Sequence, residues 1–129
     1  MANWYGTSRS NYFKVKDEVA FKAWAESCYL TVYEDSDGAF MIHPEGEDGW
    51  PSRTSEDSYL DLFAELPAHL AENQVAVLME VGAEKLRYVT GNAVAVSWTG
   101  EVVQVNLEDI YKLAQDEFGG DAVITQACY

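Results

Sequence analysis

The sequence predicts an α+β fold, an antiparallel sheet of five to seven strands covered by about three helices. The first observation is the Val-rich run from Val75 to Val105. There apolar residues recur with a period of two, and turn residues interrupt at short intervals, the pattern of a β-meander. The second is a set of three amphipathic segments with helical spacing between and after the strands. The third is their order. Strand, helix, two strands, helix and strand match a ferredoxin-like β-α-β-β-α-β start, which the meander and a last helix would extend.

Taken along the chain, Tyr12-Phe13-Lys14-Val15 is expected as the first short strand. Asp17 then suits a helix cap, with Glu18 in the first turn and Phe21, Trp24, Ala25 and Cys28 on one face. Tyr29 to Tyr33 and Ala39 to His43 read as strands around the turn Glu34-Asp35-Ser36-Asp37-Gly38. Residues 44–55, with two prolines and two glycines, form a loop in which Trp50 either pins the loop to the body or waits for a partner. Ser58 and Asp61 resemble a capping box for a second helix that points Tyr59, Leu62, Phe63, Leu66 and Leu70 inward and is kinked at Pro67. The breakers Gly82-Ala83-Glu84, Gly91-Asn92 and Thr99-Gly100 divide the meander. Asn106 can cap a last helix, Leu107 to Phe118, burying Leu107, Ile110, Tyr111, Ala114 and Phe118. Gly119-Gly120 ends that helix, and Ala122 to Thr125 is expected as an edge strand.

The chain of 129 residues fits one domain, with enough material for a core of its own. No apolar run reaches membrane-spanning length, and the N-terminus lacks a signal-peptide pattern, so a cytoplasmic location is expected. Cys28 and Cys128, lacking CxxC spacing, are expected as reduced thiols.

Charge is the exceptional property. Twenty-two acids face eight bases, a net charge of −14. From Glu34 to Glu84 thirteen acids meet only Arg53. Such a field repels nucleic acid, anionic lipid and phosphate ligands and attracts basic surfaces. A solubilising acidic surface is the plain alternative.

No motif for catalysis stands out. GxSxG, P-loop and GxGxxG patterns are missing, and with so many acids a carboxylate pair arises by chance. His43 and His69 lack metal-ligand spacing, and Asp35-Ser36-Asp37-Gly38 is a calcium-loop fragment in a hairpin position, so neither metal nor cofactor is implied. The remaining pattern is Asp57, Asp61 and Glu65, which at i, i+4, i+8 would line one face of the second helix. Glu56 widens that line, and Glu45, Glu47 and Asp48 precede it. These acids, with Trp50 as an apolar anchor, are the candidate partner-binding residues. Lys14, Lys16, Lys85 and Arg87 are expected away from one continuous negative surface. An alternative contact would use Trp4, Tyr5, Arg9 and Tyr12.

The opening NWYGTSRSNYFKVKD, the loop Gly49-Trp50-Pro51 and the run HLAENQVAVLMEVGAEKLRYVTGNAVAV resemble small acidic proteins of proteobacterial plasmids and integrative elements. Anti-restriction and anti-CRISPR proteins gather in that setting. The resemblance carries no catalytic residues. It implies a non-enzymatic inhibitor that binds a basic nucleic-acid-binding complex as a nucleic-acid mimic, with no direct contact to nucleic acid or membrane. A regulatory binding module acting through the sheet or N-terminal aromatics, and a small enzyme, are the competing expectations.

Overall fold

The Val-rich run forms the longest ladder, between β4 (Val75–Glu84) and β5 (Tyr88–Ser97), paired antiparallel from Val75↔Ser97 to Glu84↔Tyr88. The computed structural model describes residues 4–46 and 49–128. β1 (Tyr5–Ser10) pairs with the free edge of β4, and β6 (Val102–Asn106) with that of β5, giving the order β1-β4-β5-β6. A second sheet is the hairpin β2 (Leu30–Glu34) and β3 (Phe40–Pro44). The helices are α1 (Glu18–Ser27), α2 (Leu62–Glu65) and α3 (Asp109–Phe118), with a 3-10 turn at Leu66–His69.

The class is α+β and antiparallel, as the periodicity implies. However, the six strands among the described residues divide into sheets of four and two, so the single sheet of five to seven strands does not form. Among the strands, β2 and β3 pair only with each other, and the ferredoxin-like order does not translate into one sheet.

Local corrections have physical causes. The first strand is Tyr5–Ser10 rather than residues 12–15. Its small Gly6, Ser8 and Ser10 face inward, where other elements come close, so it shows no apolar alternation. Phe13 and Val15 instead make single bridges to Phe40 and Leu70. Gly82 and Gly91 lie within strands, and the β4–β5 turn falls at residues 85–87, with Lys85 at φ 50°. Residues 58–61 are not helical. The 52–60 segment folds back on itself through the Arg53↔Tyr59 bridge and Leu60 N donating to Ser52 O, and Asp61, not Ser58, caps a one-turn α2. Tyr59 is therefore exposed. Pro67 sits in the first turn of the 3-10 segment, where its missing N–H costs nothing. Residues 122–125 form no strand, although Cys128 bridges Tyr88.

The core lies on one face of the larger sheet. Ala76, Leu78, Val94 and Val96 point to that side and pack against Phe13, Phe21, Phe40, Ile42, Leu60, Leu62, Leu66 and Leu70. Ser10 ties the layers together, its Oγ accepting from Ile42 N at 2.9 Å and donating to Asn11 O at 2.8 Å. Asn11 then extends the β1–β4 ladder with its side chain, Nδ2 donating to Val75 O and Oδ1 accepting from Val77 N.

His69 sits at the margin of this core, 4.7 Å from the Trp24 ring and 6.0 Å from Phe21. Burial lowers its pKa, with Glu65 opposing and Lys16 reinforcing the shift. Below the ordinary imidazole range, near 6.5, the unfolded chain binds a proton that the folded one resists. This site's contribution to stability is thus full at neutral pH and is lost as pH falls. Urea unfolding at pH 7.5 and 5.5 is expected to show a loss on acidification that is smaller in His69→Phe. An identical pH slope in the variant would refute the assignment.

Candidate interaction surfaces

The proposed acidic line does not follow a helix. Asp57 lies in the 52–60 loop at φ 59°, and its carboxylate meets Arg53 Nη1 at 3.4 Å. Asp61 is occupied as the α2 cap, accepting from Ala64 N at 3.2 Å. Glu65 ends α2 and accepts from Trp24 Nε1 at 3.2 Å, which ties it to α1. The three carboxylates are exposed, but each has a structural partner and they share no helical face. Glu56 is exposed in the same loop, its backbone N–H donating to Thr54 Oγ1. Glu45 is exposed just after β3, where its N–H donates to Tyr29 O. Glu47 and Asp48 lie outside the described residues.

Trp50 pins the loop to the body. Its ring packs against the core, and its backbone N–H donates to Glu80 Oε1 at 3.1 Å. Ser8 Oγ reaches the same oxygen at 3.4 Å, so one half-buried carboxylate on the inward side of β4 holds both β1 and the loop. Trp50 Nε1 is buried with no partner among the described residues. An apolar anchor for an outside partner is thus not what this ring offers.

Glu34 and Asp37, at the β2–β3 turn, are exposed without side-chain hydrogen bonds among the described residues, whereas Asp35 Oδ1 accepts from Asp37 N and Ala39 N. The turn lies at one end of the hairpin and Glu45 at the other, about 17 Å apart for a five-residue strand. Three bases belong to the same layer as these acids. Lys14 follows Phe13, which bridges Phe40, and Lys16 N donates to His69 O. Lys22 Nζ lies 5.3 Å from the centre of the Phe40 ring. Of the four bases expected away from the acids, Lys85 and Arg87 do stand apart, at the β4–β5 tip. The acids therefore form separate exposed groups rather than one uninterrupted ridge.

The N-terminal aromatics do not converge either. Trp4 lies over Gly6 and Gly82, which face each other across β1 and β4, and its Nε1 donates to Thr90 Oγ1 at 3.0 Å. Tyr5 and Arg9 project from the opposite face of the sheet, and the Arg9 guanidinium lies 5.9 Å from the centre of the Tyr12 ring.

That opposite face is what the sequence reading missed. Among the described residues no helix or hairpin covers it. Met79 and Val81 of β4, Val89 of β5 and Val103 and Val105 of β6 stand exposed there, and Leu107 leans over Gly91. α3, expected to bury an apolar side, has no buried residue; Ile110 and Phe118 are exposed. The signal was present in the odd-numbered valines of the meander. Strands apolar on both faces need two covering layers, and the remaining elements supply only one.

Other chemistry is sparse. A cavity of about 530 Å³ lies between β5, α3 and the C-terminal segment, lined by Tyr88, Tyr111, Gln126 and Cys128 among others. The Glu84 carboxylate beside Tyr88 pushes the phenol pKa up. Burial pushes the Cys28 thiol up, which suits a packed core thiol rather than a nucleophile. Among the described residues no group of three His, Cys, Asp or Glu side chains is placed to hold a metal ion, and no helix is long and apolar enough to cross a membrane. The chain matches no protein-family model, no curated protein and no solved structure.

Proposed function

We propose that the protein is a non-catalytic binder that offers carboxylates to a basic, nucleic-acid-handling protein and so occupies that protein's phosphate-binding surface. The observation that carries this reading is the net charge of −14, with thirteen acids against one base between Glu34 and Glu84. Glu34, Asp37, Glu45 and Glu56 are exposed members of that set, free to turn towards lysines and arginines. The resemblance to acidic proteins of mobile elements directs the search to bacterial restriction and CRISPR complexes, in the cytoplasm. Because the acids form separate groups, contact with several separated bases fits better than imitation of a continuous phosphate backbone.

Association is expected to weaken steeply with salt, since the Debye length falls from about 10 Å at 0.1 M to 3 Å at 1 M. The test is displacement of DNA from a panel of such complexes, read by fluorescence anisotropy. Glu34, Asp37, Glu45 and Glu56 reversed together to Lys would take the net charge from −14 to −6 without touching the cap at Asp61 or the bond at Glu65. Loss of inhibition by at least about tenfold, in a variant with unchanged circular dichroism, is the expected result. Full inhibition by that variant, or no inhibition by the parent across the panel, rejects the reading.

A second reading, a regulatory binding module that acts through its sheet, is favoured by the uncovered apolar face.

A further inference from the structure

We infer that the uncovered face of the four-stranded sheet is the interface of a symmetric dimer of this chain. The inference does not depend on the proposed target. Its starting point is the register. Val75, Val77, Met79, Val81 and Ala83 on β4 share a face with Val89, Gly91, Ala93 and Ala95 on β5 and with Val103 and Val105 on β6. None of these residues carries a charge, in a chain where 23% of residues do. Met79, Val81, Val89, Val103, Val105 and Leu107 are between 53% and 71% exposed.

Area points to a macromolecular occupant. With roughly 80–100 Å² open on each of these six, and with Tyr5, Val75 and the alanines between them, the face offers on the order of 800 Å². That is about one partner's share of a standard interface. Isolated patches on monomers are commonly smaller.

Charge and shape point to a second copy. A two-fold interface brings identical patches together, so it needs a patch that is complementary to itself. A charged patch would meet its own charge, whereas a neutral β-branched one meets more of the same. Apart from Arg9 on the edge strand β1 and Glu101 opposite Ser97, the face offers no charge for a foreign charged partner to recognise, and its neutral valines let two copies meet even though both carry the same net charge. Gly91, level with Val81 in the ladder, leaves an apolar hollow of about 200 Å³ that Leu107 and Val105 help to wall. A valine from a facing sheet fits such a hollow. Sheets stacked face to face lie about 10 Å apart with strands within about 30°. The two-fold axis is placed near the Val81–Gly91 pair, and Arg9 falls at the rim. The layers carrying α1 and the β2–β3 hairpin then face outward on both sides, so their acids stay clear of the interface.

Sedimentation velocity on the full chain tests this. A species of twice 14.4 kDa is expected at micromolar concentration in 0.15 M salt, and at least as populated in 0.5 M, because salt screens the repulsion between two like-charged copies and leaves an apolar contact in place. Val81→Glu and Val89→Glu should each weaken the dimer by on the order of a hundredfold, since an unpaired carboxylate would be buried. Both side chains already face solvent in the single chain, so the monomer should keep its circular dichroism. Should Val81→Glu unfold, the milder Val81→Thr is expected to raise the dimer dissociation constant about tenfold with the fold retained. Val19→Glu, on exposed α1, should change nothing. A parent that stays monomeric at 100 μM overturns the proposal. So does a dimer that survives both Glu substitutions, which would place the contact elsewhere, such as the free edge of β6. Failure to inhibit any nucleic-acid-binding complex would leave these outcomes unaffected.

Discussion

Phe21→Ala is expected to cost about 3–5 kcal/mol, the usual range for a buried aromatic truncated to alanine. Phe21 is fully buried on α1, and four rings surround it: Phe13 at 5.8 Å edge-on, Phe40 at 5.6 Å, His69 at 6.0 Å and Trp24 at 6.1 Å. These neighbours come from four different segments, so no single one can move into the gap without leaving its own contacts. A domain of this size is stable by only about 5–15 kcal/mol. The substitution should therefore lower the Tm by roughly 10–20 °C. Thermal unfolding followed by circular dichroism reads it, with Lys22→Ala on the exposed side of the same helix as the comparison. A shift under about 3 °C would mean that the aromatic cluster does not organise the core.

Gly82→Val should destabilise by about 1–3 kcal/mol, although valine is the better strand former. The reason is Trp4. Its indole lies across Gly6 and Gly82, and a Cβ built at either position would overlap the ring. The ring would have to leave and give up the Nε1 bond to Thr90 Oγ1. Trp4→Ala in the same chain should remove most of the penalty, because the space would then be open. A double-mutant cycle on Tm, with tryptophan emission as the second readout, measures that coupling. Stabilisation by Gly82→Val alone would show that the indole does not rest on the glycine pair.

The same two sites illustrate what was legible in the chain. The period-two alternation of Val75, Val77, Met79 and Val81 with Ala76, Leu78 and Glu80 identifies the meander's first strand. The spacing of Phe21, Trp24, Ala25 and Cys28 identified α1, with the Asp17 side chain accepting from Ala20 N as its cap. Each of these signals is local, a residue pattern read against one period. The turn at Thr99-Gly100 was local too, and Gly100 adopts φ 91°. Gly82 and Gly91 were misread as turns because a glycine's role depends on what lies above it. One carries Trp4 from the N-terminus and the other lies beneath Leu107 after β6.

The acidic residues divide in the same way. Their number and sequence clustering fix the chain's net charge without any structure. Their arrangement was a tertiary matter. The Arg53↔Tyr59 bridge and the Leu60–Ser52 hydrogen bond hold residues 52–60 as a loop, which leaves only one turn of α2 and takes Asp57 off the line of Asp61 and Glu65.

The sequence by itself determined the strand-rich meander, the helix at α1 and the charge, since period, capping and composition act within a few residues of each other. Only the tertiary structure decided that the strands divide into two sheets and that all the covering elements pack on one face. That outcome depends on contacts between distant segments, such as Phe13 with Phe40 and Ser10 with Ile42. It leaves Val81, Val89 and Val103 in solvent because the described elements supply no further layer over them.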